Sequence, residues 1–135
     1  MPNYRAGTAI PKYFELTRRP VAVGLREDCG VAKFSGSEPS GCSFWRLAAE
    51  GRTFATVPSD HYACPIGAHT HNVPLPEDRA HELPDVLVTM TTLGYLEMEE
   101  VPGIPVLPRT PKHIVFAPLG DTPVDPDVVL FVATG

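Results

Sequence analysis

His113-Ile114-Val115-Phe116-Ala117-Pro118-Leu119, followed after a short polar turn by Val128-Val129-Leu130-Phe131-Val132-Ala133, are the two stretches on which the fold depends. Both are apolar throughout, with no polar alternation. That pattern predicts strands in the interior of a sheet, with helices covering its two faces. Working outward, Val21-Ala22-Val23-Gly24-Leu25 is a third apolar run, bounded by Pro20 and by Arg26-Glu27-Asp28, and Thr53-Phe54-Ala55-Thr56-Val57 alternates up to Pro58. Each reads as a strand. The expected fold is a mixed α/β single compact domain, a central sheet built from residues 21–25, 53–57, 113–119 and 128–133, with short helices around it. The last of these strands runs almost to Gly135, so the chain is expected to be a product truncated at its C-terminus.

The connections carry their own signals. Residues 10–18 offer Tyr13, Phe14 and Leu16 on an amphipathic helix that Pro20 ends. In residues 41–50, Phe44, Leu47 and Ala48 share one helical face, Ser40 is placed to cap the start and Gly51 to stop the end. Cys42 then falls in the first turn. Residues 29–41 form a loop whose glycines match no phosphate-binding fingerprint. A helix is expected over residues 77–93, kinked or divided at Pro84 and closed by Gly94, followed by an alternating, half-buried strand over 95–99. Pro102, Pro105, Pro108 and Pro111 repeat with the period of polyproline II. A stiff connector packed on the domain explains this repeat better than a ligand for an SH3-type partner. Asp121, Asp125 and Asp127 could hold a hard cation, but Pro123 and Pro126 among them indicate a tight surface turn.

Composition bounds the partners. The 135 residues are 43% hydrophobic and 20% charged, which is ordinary for a globular protein and excludes wholesale disorder. The net charge is -5, and no basic stripe with interleaved aromatics is present, so no nucleic acid partner is expected. The apolar runs are too short to span a bilayer, so no membrane partner is expected either. The first twenty residues have scattered charges and no apolar segment of signal-peptide length. Three cysteines in such a chain point to the reducing cytoplasm, where thiols act as ligands or nucleophiles more often than as staples.

The densest chemistry lies in His61-Tyr62-Ala63-Cys64-Pro65-Ile66-Gly67-Ala68-His69-Thr70-His71-Asn72, a stretch that Pro65 and Gly67 are expected to make irregular. With Cys42 it supplies two sulfurs and several imidazoles. Cys42 and Cys64 with two of His61, His69 and His71 have the donor chemistry for tetrahedral zinc or for iron, and His69 and His71, which would point the same way in an extended chain, are the pair expected to join Cys42 and Cys64. An iron–sulfur cluster would need a donor beyond the three cysteines. The spacing matches no standard zinc finger, and the His69, His71 and Glu77 interval is one residue too long for a cupin. Thiol chemistry at Cys42 or Cys64, with a histidine as base, is a second reading. Ser59-Asp60-His61 lacks the surroundings of a hydrolytic nucleophile. The remaining reading is structural: cysteines that pack, and a glycine that permits a turn. Whether the chain is an enzyme stays open on these residues.

In Arg19-Pro20-Val21-Ala22-Val23, Cys42, Ala49-Glu50-Gly51, Cys64-Pro65-Ile66-Gly67-Ala68, Ala117-Pro118-Leu119 and the run from Pro126 to Phe131, the chain resembles the bacterial and archaeal family called domain of unknown function 169. The likeness implies that Cys42, Cys64 and Gly67 belong to a shared pattern, and that members continue past the position of Gly135. It implies no particular activity. The functional expectation is a metal, iron–sulfur or other redox cofactor held by Cys42 and Cys64, with Gly67 beside the second. The alternative is a non-enzymatic small-molecule-binding or regulatory module in which the cysteines are structural.

Overall fold

A computed structural model of the chain describes residues 16–38 and 41–133. Four strands, β1 (Val21–Arg26), β2 (Phe54–Thr56), β3 (His113–Pro118) and β4 (Val128–Leu130), form one antiparallel sheet in the order β2-β3-β1-β4. The mixed α/β expectation holds. Pairing sets Val23 opposite both Phe116 and Val128, and Phe54 opposite Phe116. Side chains alternate across a strand, so Val21, Val23, Leu25, Ile114, Phe116, Val128 and Leu130 share one face.

Helix α1 (Gly41–Ala49) lies on that face, burying Phe44, Leu47 and Ala48 as the sequence predicts. Its end is set by backbone geometry. Gly51 takes φ +110°, and this lets Arg52 N–H reach the Leu47 carbonyl at 3.1 Å and Gly51 N–H the Ala48 carbonyl at 3.0 Å. The center of the core is aromatic: the Phe44 ring lies 5.1 Å from Phe34, 6.0 Å from Phe54 and 5.6 Å from Phe116. Phe34 comes from the loop after β1, where Phe34 N–H and Ala55 N–H bond across to Ala55 and Ala32 and cover the outer edge of β2.

The opposite face carries small residues, Ala22, Gly24 and Ala117. At Gly24 it is covered by a loop, not a helix: a side chain there would meet Val124 Cγ2 at 2.9 Å. Asp127 holds this loop in place. Its carboxylate accepts from Leu25 N–H at 2.6 Å and from Arg26 at 2.8 Å, which keeps its pKa below the usual carboxylate range. Of the aspartates in this turn, Asp127 therefore braces β1 with its carboxylate.

Several expectations are corrected. β3 is central, but β4 is a three-residue edge strand, and Phe131 and Val132 beyond it are exposed. A run of apolar residues signals an apolar neighborhood and does not distinguish a central strand from the wall of a cavity. Residues 95–99 form no strand: Tyr95 is exposed and Met98–Gly103 is a 3-10 turn. The expected helix over 77–93 is a 3-10 turn, Glu77–Arg79, and then α3 (Glu82–Thr92). Pro84 sits in the first turn of α3, where its missing N–H costs nothing. The 61–72 stretch is not irregular; it contains α2 (Pro65–Thr70), with Cys64 at its cap and Pro65 at its first position. Most of the expected helix over 10–18, and Ser40 as a cap, fall outside the described residues. Among the described residues no helix is long and apolar enough to cross a membrane.

Phe44 joins the helix to both β2 and β3, so its removal should empty the center of the core. Phe44→Ala should lower the free energy of unfolding by about 3–5 kcal/mol in a urea titration. A loss below about 1 kcal/mol would show that the aromatic cluster is not the main source of cohesion.

Candidate functional site

The core continues into a histidine pair. Phe54 and Thr56 are two apart on β2 and point to the same face, so Thr56 lies next to the aromatic cluster and is fully buried. Its hydroxyl cannot be left unpaired there. It donates to the Ile114 carbonyl at 3.3 Å and meets His61 Nε2 at 2.8 Å. The hydroxyl proton is committed to Ile114, so Thr56 accepts from His61 Nε2–H. The His61 ring packs edge-on to Phe44 at 5.2 Å and is 3% exposed.

Against His61 lies His71, the two rings 5.2 Å apart and inclined by 29°. His71 caps the C-terminal end of α2 and its Nδ1 lies 2.7 Å from the Gly67 carbonyl. A carbonyl oxygen only accepts, so Nδ1 carries the proton. In the neutral form of each ring, this leaves His61 Nδ1 and His71 Nε2 as lone-pair acceptors. Burial, and then the neighboring His71, lower the His61 pKa to about 4. His61 is therefore neutral near pH 7.

The pair forms the polar end of a partly open cavity of about 570 Å³. Its floor is the sheet face from Val23 and Leu25 to Phe116, Val128 and Leu130, and Gly41 and Trp45 of α1 form one wall. Residues 105–108 cross as a strap. Asn72, in the left-handed region at φ 56°, turns the chain after α2 and donates from its side chain to the Leu107 carbonyl at 3.0 Å. Leu107 N–H bonds back to the Thr70 carbonyl at 2.9 Å. The proline-spaced segment is thus a connector packed on the domain, and it shapes the cavity. Among the described residues no Asp, Glu, Lys or Arg lines the space.

The residues singled out for a cofactor are distributed differently. Cys42 is exposed on α1, and neither it nor Cys64 lines the cavity. Cys64 is half-buried and its sulfur accepts from Gly67 N–H at 3.3 Å, so it serves as the cap of α2. Gly67 binds this sulfur on one side and His71 on the other. His69 lies in α2, so it and His71 do not share the direction an extended chain would give them. Of the four proposed metal donors only His71 reaches the cavity. Among the described residues no group of three or more His, Cys, Asp and Glu side chains is placed to hold a metal ion. The reading of the sequence missed Thr56, Trp45 and the part that the packed proline connector takes in lining the cavity. The alternation of β2 places Thr56 beside Phe54, and the Pro58–His61 turn, closed by Val57 N–H on the Asp60 carboxylate at 2.8 Å, brings His61 back to it.

The neutral, buried His61 has a consequence for stability. Its folded pKa is depressed, so its contribution is complete above the unfolded value of 6.5 and is lost as pH falls toward about 4. Unfolding measurements should find the protein about 3 kcal/mol less stable at the low end of this window than at the high end on account of this group. His61→Phe should remove that part of the slope. A His61 ring that titrates near 6.5 in an NMR pH series would contradict the assignment.

Comparison with known proteins names no activity. No curated protein and no solved structure matches the chain. A family model, described as uncharacterised ArCR, matches residues 9–135. That match spans nearly the whole sequence, and the chain belongs to the DUF169 family.

Proposed function

We propose that this protein binds a small, largely apolar organic molecule in the cavity between the sheet face, α1 and the strap, as a binding or regulatory module whose cysteines are structural. One observation carries the reading: a space of about 570 Å³, walled by hydrocarbon and closed at one end by two imidazoles. Ligand sites typically combine that size and apolar lining with a few convergent polar groups. Val128, at 49% exposure, remains half uncovered although it forms part of the floor. Apolar surface left in this state gains free energy when a ligand displaces water from it.

Trp45 lines the cavity and is the chain's single tryptophan, so its emission reports occupancy directly. Titration with alkylbenzenes should change that emission saturably, and the change should weaken about tenfold or more in Leu25→Phe, which narrows the floor. Ligand at about a hundred times its Kd should add about 3 kcal/mol to the free energy of unfolding. Emission and stability that ignore every apolar probe would overturn the reading. The other reading, a metal, iron–sulfur or redox cofactor held through Cys42 and Cys64, requires further donors beside those two sulfurs. Protein purified without oxygen should therefore hold no stoichiometric metal or visible chromophore. Finding one that disappears in Cys64→Ser would replace the cavity proposal.

A further inference from the structure

Hydrogen-bond direction in the cavity narrows the class of molecule that fits it, on the condition that the binding reading above holds. The chain of donors runs from His61 Nε2–H to Thr56 and from Thr56 to Ile114, inside a buried core. With the single hydroxyl proton of Thr56 directed to the Ile114 carbonyl, its oxygen can only accept from His61, which sets the direction of the chain. His71 is fixed in the same way by the Gly67 carbonyl. Two ring nitrogens bordering the cavity are thereby set as acceptors while the rings are neutral. His61 Nδ1 has no hydrogen-bond partner among the described residues, and a Cβ added at Gly41 would lie 4.0 Å from it, in ordinary van der Waals contact.

We propose that the cavity selects an uncharged, mainly apolar molecule bearing a hydroxyl that donates to His61 Nδ1, of the alkylphenol class. A carboxylate fits poorly, because it would meet a lone pair at His61 and, among the described residues, no Arg or Lys lines the space. An ammonium group would find no carboxylate among the described lining residues to accompany it. A bare hydrocarbon would fill the volume but leave the acceptor dry and unpaired, which costs binding free energy. The hydroxyl removes that cost, and it supplies orientation as well as affinity. Burial that holds His61 neutral keeps the acceptor available around neutral pH.

Three probes of one shape test this: butylbenzene, 4-butylphenol and 4-butylbenzoate, titrated calorimetrically into the full chain at pH 7.5. The phenol should bind about tenfold more tightly than the hydrocarbon, the effect of one hydrogen bond to a buried acceptor. That advantage should shrink to about twofold or less in His61→Phe. A measurement on the unaltered protein guards against a variant that fails to fold: the 15N resonance of His61 Nδ1 should move upfield on adding the phenol and stay in place with the hydrocarbon. Equal affinities for phenol and hydrocarbon, or an unmoved resonance, would overturn the hydroxyl assignment and leave the cavity reading intact. Tightest binding by the benzoate would overturn it in favor of a charged imidazole pair. Failure of all three probes to bind would remove both this assignment and the reading beneath it.

Discussion

The contact between Phe44 and the sheet is the constraint from which the other features of this protein follow. It joins the single long face of α1 to β2 and β3 through Phe54 and Phe116. It also orients what lies beyond. His61 packs on the edge of the same ring, and His71 stacks on His61. A continuous row of flat side chains therefore runs from the hydrocarbon core to the wall of the cavity. Rows of this kind transmit position well, because close-packed rings have little room to shift independently.

Placing an imidazole in such a row has an electrostatic cost that the surroundings manage in two ways. Thr56 satisfies one nitrogen of His61, and burial keeps the ring uncharged. The result is a polar group that stabilizes the core while keeping one acceptor available. His71 is arranged similarly by α2, whose Gly67 contacts Cys64 with its N–H and His71 with its carbonyl. The chemistry of the Cys-Pro-x-Gly turn thus serves, in this geometry, to cap a short helix and aim an imidazole.

The strap completes the enclosure by a different principle. After the 3-10 turn that ends at Gly103, Pro105, Pro108 and Pro111 lack backbone N–H donors, so the segment depends on partners elsewhere. Asn72 and Thr70 supply them at Leu107. The left-handed backbone of Asn72 is tolerable because its short amide side chain suits that region, and the same side chain then anchors the strap.

Local signals were sufficient for a good part of this structure. The Phe44, Leu47 and Ala48 spacing and the glycine stop at Gly51 define α1, and the apolar runs at 21–25 and 113–119 become the two central strands, because period and capping depend on residues a few positions apart. Other features lay beyond such signals. The run at 128–133 became a short edge strand and then an exposed tail, since pairing and coverage depend on distant segments. The stretch at 61–72 was recognizable as chemically dense, but its histidines were grouped by proximity in sequence, pairing His69 with His71. Folding paired His71 with His61 instead, because a helical turn rotates neighbors two apart onto different sides while the sheet fixes His61 from below through Thr56. Long-range packing likewise left Cys42 in solvent and turned the floor of β1 and β4 toward a shared space. Residue types announced that polar chemistry was present; which atoms meet, and in what protonation state, followed from burial.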